Sequence, residues 1–405
     1  YGVGALIAAA APGLGILILG YSLLEGIGTA LLIPPVYILA TVFSPDLTSR
    51  ARAFGAISAA GGIGAAAGPL VGGIITTAIS WRAAFVVQAL VVGIVIIQSR
   101  KIVDPGVQGP KPRLDIVGTI LSAAGLFFVV VGILQASTYG WFRASQDFVI
   151  GNTVVIPQGG ISPVWLFVLI GLVLLAWFFW HIRSMERAGK EPLLSTRLFK
   201  NRTSNLGLVT QNIQWLVLLG LSFVVSVYLQ TVRGYNAIET GLILTPATIG
   251  ILLSSMAAGR LARRRSQATL IRAGFVVTVG GVFLLLLLVR ETSNVFTFVP
   301  GLFLVGVGVG VMLTSSVNVV QSSFPEEDQG EISGLSRSVS NLGSSLGVAI
   351  AGTVIVSSLV TGNLGYALAL VVLAAFAVIG LVAAILLPTG PVPQAPDQPD
   401  LQLPE

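Results

Sequence analysis

Eleven runs of predominantly apolar residues partition this chain, at roughly 14–43, 53–79, 82–98, 115–138, 164–181, 204–231, 242–259, 273–289, 296–321, 333–360 and 365–387. Each approaches the length of about 20 residues that an α-helix needs to cross the hydrocarbon core of a bilayer. Residues 1–11 read as the end of one more run, and Tyr1 opens inside an apolar stretch, which predicts a piece of a longer chain. Lipid offers no partners to backbone groups, so continuous runs of this length are expected to be helices; barrel strands would show short alternating segments. Only 9% of the 405 residues are charged and 54% are hydrophobic, against about 25% charged in a soluble domain. The predicted class is therefore all-α and polytopic in a membrane.

The charged residues carry the topology. Alternate loops hold Arg50 and Arg52; Arg100, Lys101, Lys111 and Arg113; Arg183, Arg187, Lys190, Arg197, Lys200 and Arg202; and Arg260, Arg263, Arg264, Arg265 and Arg272, with Arg337 opening the next helix. That side holds 18 of the 22 basic residues, and Arg82, Arg143, Arg233 and Arg290 fall one to each intervening loop. By the positive-inside rule the rich side is cytoplasmic, in a cytoplasmic (inner) membrane. The net charge of +6 then records topology, and no nucleic-acid partner is expected. With no cysteine and one histidine, thiol chemistry and imidazole metal clusters are excluded, and neither a metal nor a cofactor is expected. A membrane-embedded enzyme is also not expected, because one histidine and one deep carboxylate do not assemble a catalytic pair.

Two connections differ from simple loops. In 139–163, FVIGNTVVI places Gly151-Asn152 between β-branched runs and predicts a small hairpin on the outer side. The tail from Pro388 is proline-rich and polar and is expected to be disordered in the cytoplasm.

The chain also repeats itself. Gly26, Gly28 and Pro45 recur as Gly306, Gly308 and Pro325 at a spacing of 280, and Gly64 and Gly68 recur as Gly343 and Gly347 at a spacing of 279. Both copies run the same way through the membrane, the parallel repeat of a two-halved transporter. Six helices per half leave 115–138 and 164–181 as an insertion between the halves.

The sharpest motif is GAAAGPLVGG, Gly64 to Gly73. Gly64 and Gly68 form a small-residue face for close helix packing, Pro69 removes a backbone donor and favours a kink, and Gly72 and Gly73 extend the smooth face. The full pattern matches the antiporter motif of exporters. With SLLEGIGTALLIP at 22–34, the loop from Asp46 to Arg52 and the two extra central helices, the chain resembles the fourteen-helix drug:proton antiporter branch of the major facilitator superfamily. The resemblance runs from partway through the family's third helix to the end. It implies a two-halved helical bundle with two extra central helices: a remnant N-terminal bundle at 1–98, a linker with the two extra helices and an outer loop at 99–203, a C-terminal six-helix bundle at 204–387, and a tail at 388–405. It also implies amphipathic drugs or toxic metabolites as cargo, protons as the coupling ion, and a monomer in the bilayer.

Two departures bear on mechanism. The family pattern in the first complete helix is Arg-x-x-Gln-Gly-x-Gly, and here Ser22 stands at the arginine position and Glu25 at the glutamine position. The arginine linked to proton coupling is thus replaced. In GRLARRR, Gly259 to Arg265, Arg263 stands where the family has aspartate. The Arg263 to Arg265 cluster otherwise reads as a topology anchor touching anionic lipid.

Glu25 is the one carboxylate well inside an apolar run, about 11 residues and roughly 16 Å from the outer end of its helix. An ionisable group at that depth is costly and reads first as functional. Desolvation favours the neutral acid and a cationic substrate favours the carboxylate, so proton and cation compete for one group. The alternative is a permanently protonated acid bonded to a neighbouring helix. The repeat places Val305 at the matching position, so the scaffold itself does not demand an acid.

Other polar residues in the runs are Gln88, Gln135, Gln211, Asn212, Gln214, Gln230, Asn318, Gln321 and Asn341. Gln211, Gln214 and Trp215, with Asn212 close by, are spaced to line a cavity with an aromatic wall; each alone also fits an interhelical hydrogen bond. His181 and the run Trp177, Phe178, Phe179 and Trp180 read as interfacial. Two further functional readings stay open beside export: a facilitator or uptake carrier on the same scaffold, and a non-transporting receptor.

Overall fold

The computed structural model describes residues 1–43, 57, 60, 64, 68, 71–101, 114–151, 153–262, 264–289, 292–324, 328–356 and 364–388. Within these the chain is an all-α polytopic bundle: α1 (Gly2–Ala9), α2 (Leu14–Leu17), a π-helical segment (Ile18–Leu24), α3 (Glu25–Val42), helical residues 71–78, α4 (Trp81–Ser99), α5 (Ile116–Tyr139), α6 (Pro163–Arg187), α7 (Arg202–Val227), α8 (Ala237–Ala262), α9 (Gln267–Leu288), α10 (Phe298–Gln321), α11 (Gln329–Val356) and α12 (Leu364–Ile385). Ten helices among the described residues are long and apolar enough to cross a membrane, and they coincide with ten of the eleven runs. The eleventh, 53–79, lies largely outside the described residues, as do the Asp46 to Arg52 loop, Pro69, Arg263 and the tail from 389 onward.

The helix starts follow local chemistry. Asp115, Ser162, Asn201 and Ser266 each accept a backbone N–H of the first turn, satisfying donors that a helix start leaves without partners. Before α8, Asn236 and Glu239 cap each other's backbone N–H reciprocally, at 2.9 and 2.8 Å. Between α5 and α6 the expected hairpin forms: β1 (Phe148–Ile150) pairs antiparallel with β2 (Thr153–Ile156), and Gly151 supplies the left-handed turn at φ +62°.

The largest buried cluster among the described residues lies in α7–α12. There α7 packs on α11 and α12, while α10 packs on α8 and α9, with α7 against α10 and α9 against α12. Exchanging the first three helices for the last three leaves this set of pairings unchanged, the signature of two inverted three-helix repeats. Glycines set the crossings: a side chain at Gly347 would collide with the Leu216 carbonyl, and one at Gly343 with the carbonyl of Asn212. Gly64 and Gly68, their repeat counterparts, have no described residue within 4 Å of an added Cβ.

The inserted pair α5–α6 is joined to the C-terminal bundle as well as to itself. Helix α5 packs against α6 and against α11. After α6, the segment from 188 to 201 crosses toward α11: Glu186 accepts the Thr196 N–H at 2.7 Å, Ser195 N donates to Glu331 at 2.7 Å, and Arg197 pairs with the buried Asp328 at 2.5 Å.

Candidate functional site

Glu25 is 4% exposed, inside the Leu14–Leu32 span. The segment that delivers it is the π-helix Ile18–Leu24, which ends at the residue before it. Such wide turns break the 3.6-residue register locally and occur frequently at functional sites. Their effect here is visible in exposure, since Ser22 faces outward and Glu25 faces the packing surface against α1. Two glycines permit that approach. A Cβ at Gly4 would lie 2.7 Å from the Gly20 carbonyl oxygen and 2.8 Å from the Glu25 nitrogen; one at Gly20 would lie 2.7 Å from the Ala8 nitrogen.

Beside the carboxyl stands Tyr1. The Tyr1 side chain interacts with Glu25, and its hydroxyl donates to Gln88 Oε1 on α4 at 3.3 Å. The Thr29 hydroxyl donates to the Glu25 main-chain carbonyl at 2.8 Å. Among the described residues, Glu25 Oε1 has no hydrogen-bond partner. A carboxyl oxygen left without a donor in a buried site is suited to accepting a proton or a cationic group, because either supplies the missing interaction.

A second polar cluster lies in the C-terminal bundle. Gln211, 3% exposed on α7, donates to Ser336 Oγ at 2.9 Å and Ser340 Oγ at 2.7 Å on α11, and its own carbonyl oxygen accepts from Ser336 at 3.0 Å. Gln214 lies 2.9 Å from Ser316 Oγ on α10, and Asn212 donates to the Val339 carbonyl at 2.8 Å. These amides are engaged between helices, and Trp215 is half-buried beside them. Asn318 is exposed and Gln135, on α5, is half-buried; the structure brings neither to Glu25 nor to Gln211.

The glycine motif makes one close contact among its described residues. A Cβ at Gly73 would lie 2.6 Å from the Ala237 carbonyl at the start of α8, so residues 71–78 and α8 touch there backbone to backbone; Gly72, like Gly64 and Gly68, has no described residue near an added Cβ.

Three participants escaped the sequence reading. Tyr1 was passed over as the first residue of a run, although a tyrosine among aliphatic residues carries the polar handle that such a run lacks. Ser336 and Ser340 repeat at a helical turn on α11 and face the α7 amides, but serine is common in membrane helices and its spacing signals nothing alone. His181 is not simply interfacial. It is half-buried, with Nε2 at 2.9 Å from Asp115 Oδ1.

A family model described as Major Facilitator Superfamily matches residues 1–149 and 116–348. The chain is similar to a probable actinorhodin transporter of Streptomyces coelicolor, with 26% identity over 338 residues, 81% of this chain and 54% of that protein. It is similar to a puromycin resistance protein of Streptomyces alboniger, with 28% identity over 357 residues, 87% of this chain and 66% of that protein. A lincomycin resistance protein of Listeria monocytogenes is 26% identical over 358 residues, 87% of this chain and 69% of that protein. The chain thus spans about half to two thirds of the length of these relatives.

Proposed function

The chain belongs to the Major Facilitator Superfamily, and from that premise we propose that it is a membrane transporter exporting amphipathic drugs or toxic metabolites by alternating access, driven by inward proton flow. Relatives named for actinorhodin transport and for puromycin and lincomycin resistance support the direction and the cargo class. The observation that carries proton coupling is the buried Glu25, with Tyr1 beside it and with one carboxyl oxygen that lacks a donor among the described residues. Binding either a proton or a cationic cargo satisfies that oxygen, and the two exclude each other. Exchange of one for the other during the cycle couples their opposite movements. The halves at 1–98 and 204–387 rock about the cargo path, the 99–203 insertion lies between them in sequence, and the basic loops face the cytoplasm. The transporter works as a monomer in the cytoplasmic membrane, without cofactor and without nucleic acid.

The test is transport in proteoliposomes. An imposed proton gradient drives accumulation of a lipophilic cationic drug against its gradient, and Glu25→Gln abolishes the dependence on the proton gradient while leaving the protein folded. Unchanged pH dependence in Glu25→Gln overturns the coupling role. Ser22 favours a second reading, a facilitator or uptake carrier, because the family's arginine is replaced there. Equilibration of cargo without accumulation under the gradient would select that reading, and binding without flux would select a receptor.

A further inference from the structure

A cavity of about 540 Å³ opens between the end of α6 and the 3₁₀ turn Thr196–Lys200, lined by Arg183, Glu186, Arg187, Thr196, Phe199 and Lys200. Arg183 and Arg187 are four residues apart on one helix, so both project from the same face. The 3₁₀ turn is held against that face by an edge-to-face contact of Phe179 and Phe199, with centroids 5.2 Å apart, which brings Lys200 to the same space. Three cations therefore meet one carboxylate.

That carboxylate is already committed. Glu186 accepts the Thr196 N–H at 2.7 Å, the Thr196 hydroxyl at 2.5 Å and the Ser195 hydroxyl at 3.2 Å. Among the described residues no carboxylate lies within ion-pair distance of Arg183, Arg187 or Lys200. The cavity presents a net positive charge, its guanidinium groups have no carboxylate partner among the described residues, and guanidinium matches the geometry of a phosphate better than any other side chain.

Its position narrows the ligand further. One turn before Arg183, Trp180 is 64% exposed, and Trp177 another turn away is 53% exposed. Exposed tryptophans of this kind mark the boundary between headgroups and acyl chains. An anion entering here meets the cavity's cations, and the exposed Trp180 and Trp177 continue along α6 one and two turns before Arg183.

We propose that this cavity is a binding site for a phosphate-bearing anion, such as the headgroup of an anionic phospholipid whose chains run along Trp180 and Trp177. It lies on the inserted helix pair, apart from Glu25, and stands independently of the transport reading.

The experiment uses the full chain in detergent, with bound adducts counted by native mass spectrometry and thermal unfolding read in parallel. The probes are short-chain phosphatidylglycerol, short-chain phosphatidylcholine and inorganic phosphate. The expected result is selective retention of phosphatidylglycerol, weakened about thirtyfold by the double variant Arg183→Gln/Arg187→Gln, the loss expected of two juxtamembrane cations. Lys200→Gln leaves α6 untouched and should weaken binding about fivefold, which keeps the test open if the double variant does not fold. Arg100→Gln/Lys101→Gln, exposed basic residues just after α4, should leave retention unchanged. Cavity-dependent stabilisation by inorganic phosphate supports the anion site and names free phosphate as an occupant. Equal retention of phosphatidylcholine, equal weakening by the Arg100 and Lys101 pair, or wild-type binding in both the double variant and Lys200→Gln overturns it.

Discussion

His181 Nε2 stands 2.9 Å from Asp115 Oδ1, so the second inserted helix grips the first at its N-cap. The same carboxylate accepts the Gly118 N–H at 2.8 Å and the Leu193 N–H at 3.1 Å, tying cap, histidine and the following loop to one group just outside the Ile116–Ala136 span. Asp115→Ala should lower the unfolding free energy by about 1–3 kcal/mol, from the lost cap and the donors left without partners. Thermal unfolding in detergent reads this directly.

Burial pushes the Asp115 carboxyl up, but the Gly118 N–H, the His181 ring and the Leu193 N–H outweigh it and hold the group below its ordinary value of 3.8. A carboxyl depressed on folding contributes stability that is full above its unfolded pKa and is lost as pH falls through the folded one. Unfolding midpoints measured from pH 6 down to pH 3 should fall in the wild type, and less steeply in Asp115→Asn, which keeps a capping oxygen without the titration. Parallel curves would remove Asp115 from the acid limb.

Gly4→Val should prise α1 from the π segment, because a side chain there meets the Gly20 carbonyl and the Glu25 backbone. Overpacking of this kind costs about 1–3 kcal/mol, and its specific mark is exposure of residue 25. The chain has no cysteine, so a Glu25→Cys variant gives a single thiol. That thiol should react slowly with a water-soluble maleimide and faster once Gly4→Val is added.

Gly347→Leu and Gly68→Leu should separate, although the two glycines occupy equivalent places in the repeat. Gly347 abuts the Leu216 carbonyl and tolerates no Cβ, whereas Gly68 has open space among the described residues. Expression and thermal stability in detergent should collapse for the first and change little for the second. The same outcome for both would mean that the repeat partners share one packing environment.

Gln211→Leu leaves Ser336 and Ser340 without their amide partner. Interhelical hydrogen bonds in membranes are worth about 0.6 kcal/mol on average and up to about 1.7, so a modest loss of unfolding free energy is expected with cargo affinity unchanged. A shift in drug affinity without a change in stability would instead put the amide in the cargo path.

The helices were legible in the sequence because lipid forces long apolar runs to satisfy their own backbone, and the hairpin because Gly151 takes a conformation that other residues avoid. Glu25 was legible because a carboxylate amid aliphatic residues stands out at once. Its surroundings were not. The π turn at Ile18–Leu24 has no signature in residue type, yet it decides that Glu25 faces α1 while Ser22 faces away. The roles of the arginines were legible only as counts. Arg272, one of the residues counted on the basic-rich side, donates to the carbonyls of Ala384, Ile385 and Leu387 and so closes the end of α12, a contact 112 or more positions away along the chain.

The strap from Glu186 through Ser195 and Arg197 to Glu331 and Asp328 makes the inserted helices passengers of α11. A tilt of α11 during the transport cycle would be carried by α5 and α6 to the far side of the bilayer, where the hairpin Phe148–Ile156 acts as the tip of a pointer. A fluorophore on that hairpin would register movement of the C-terminal half without any label near the cargo.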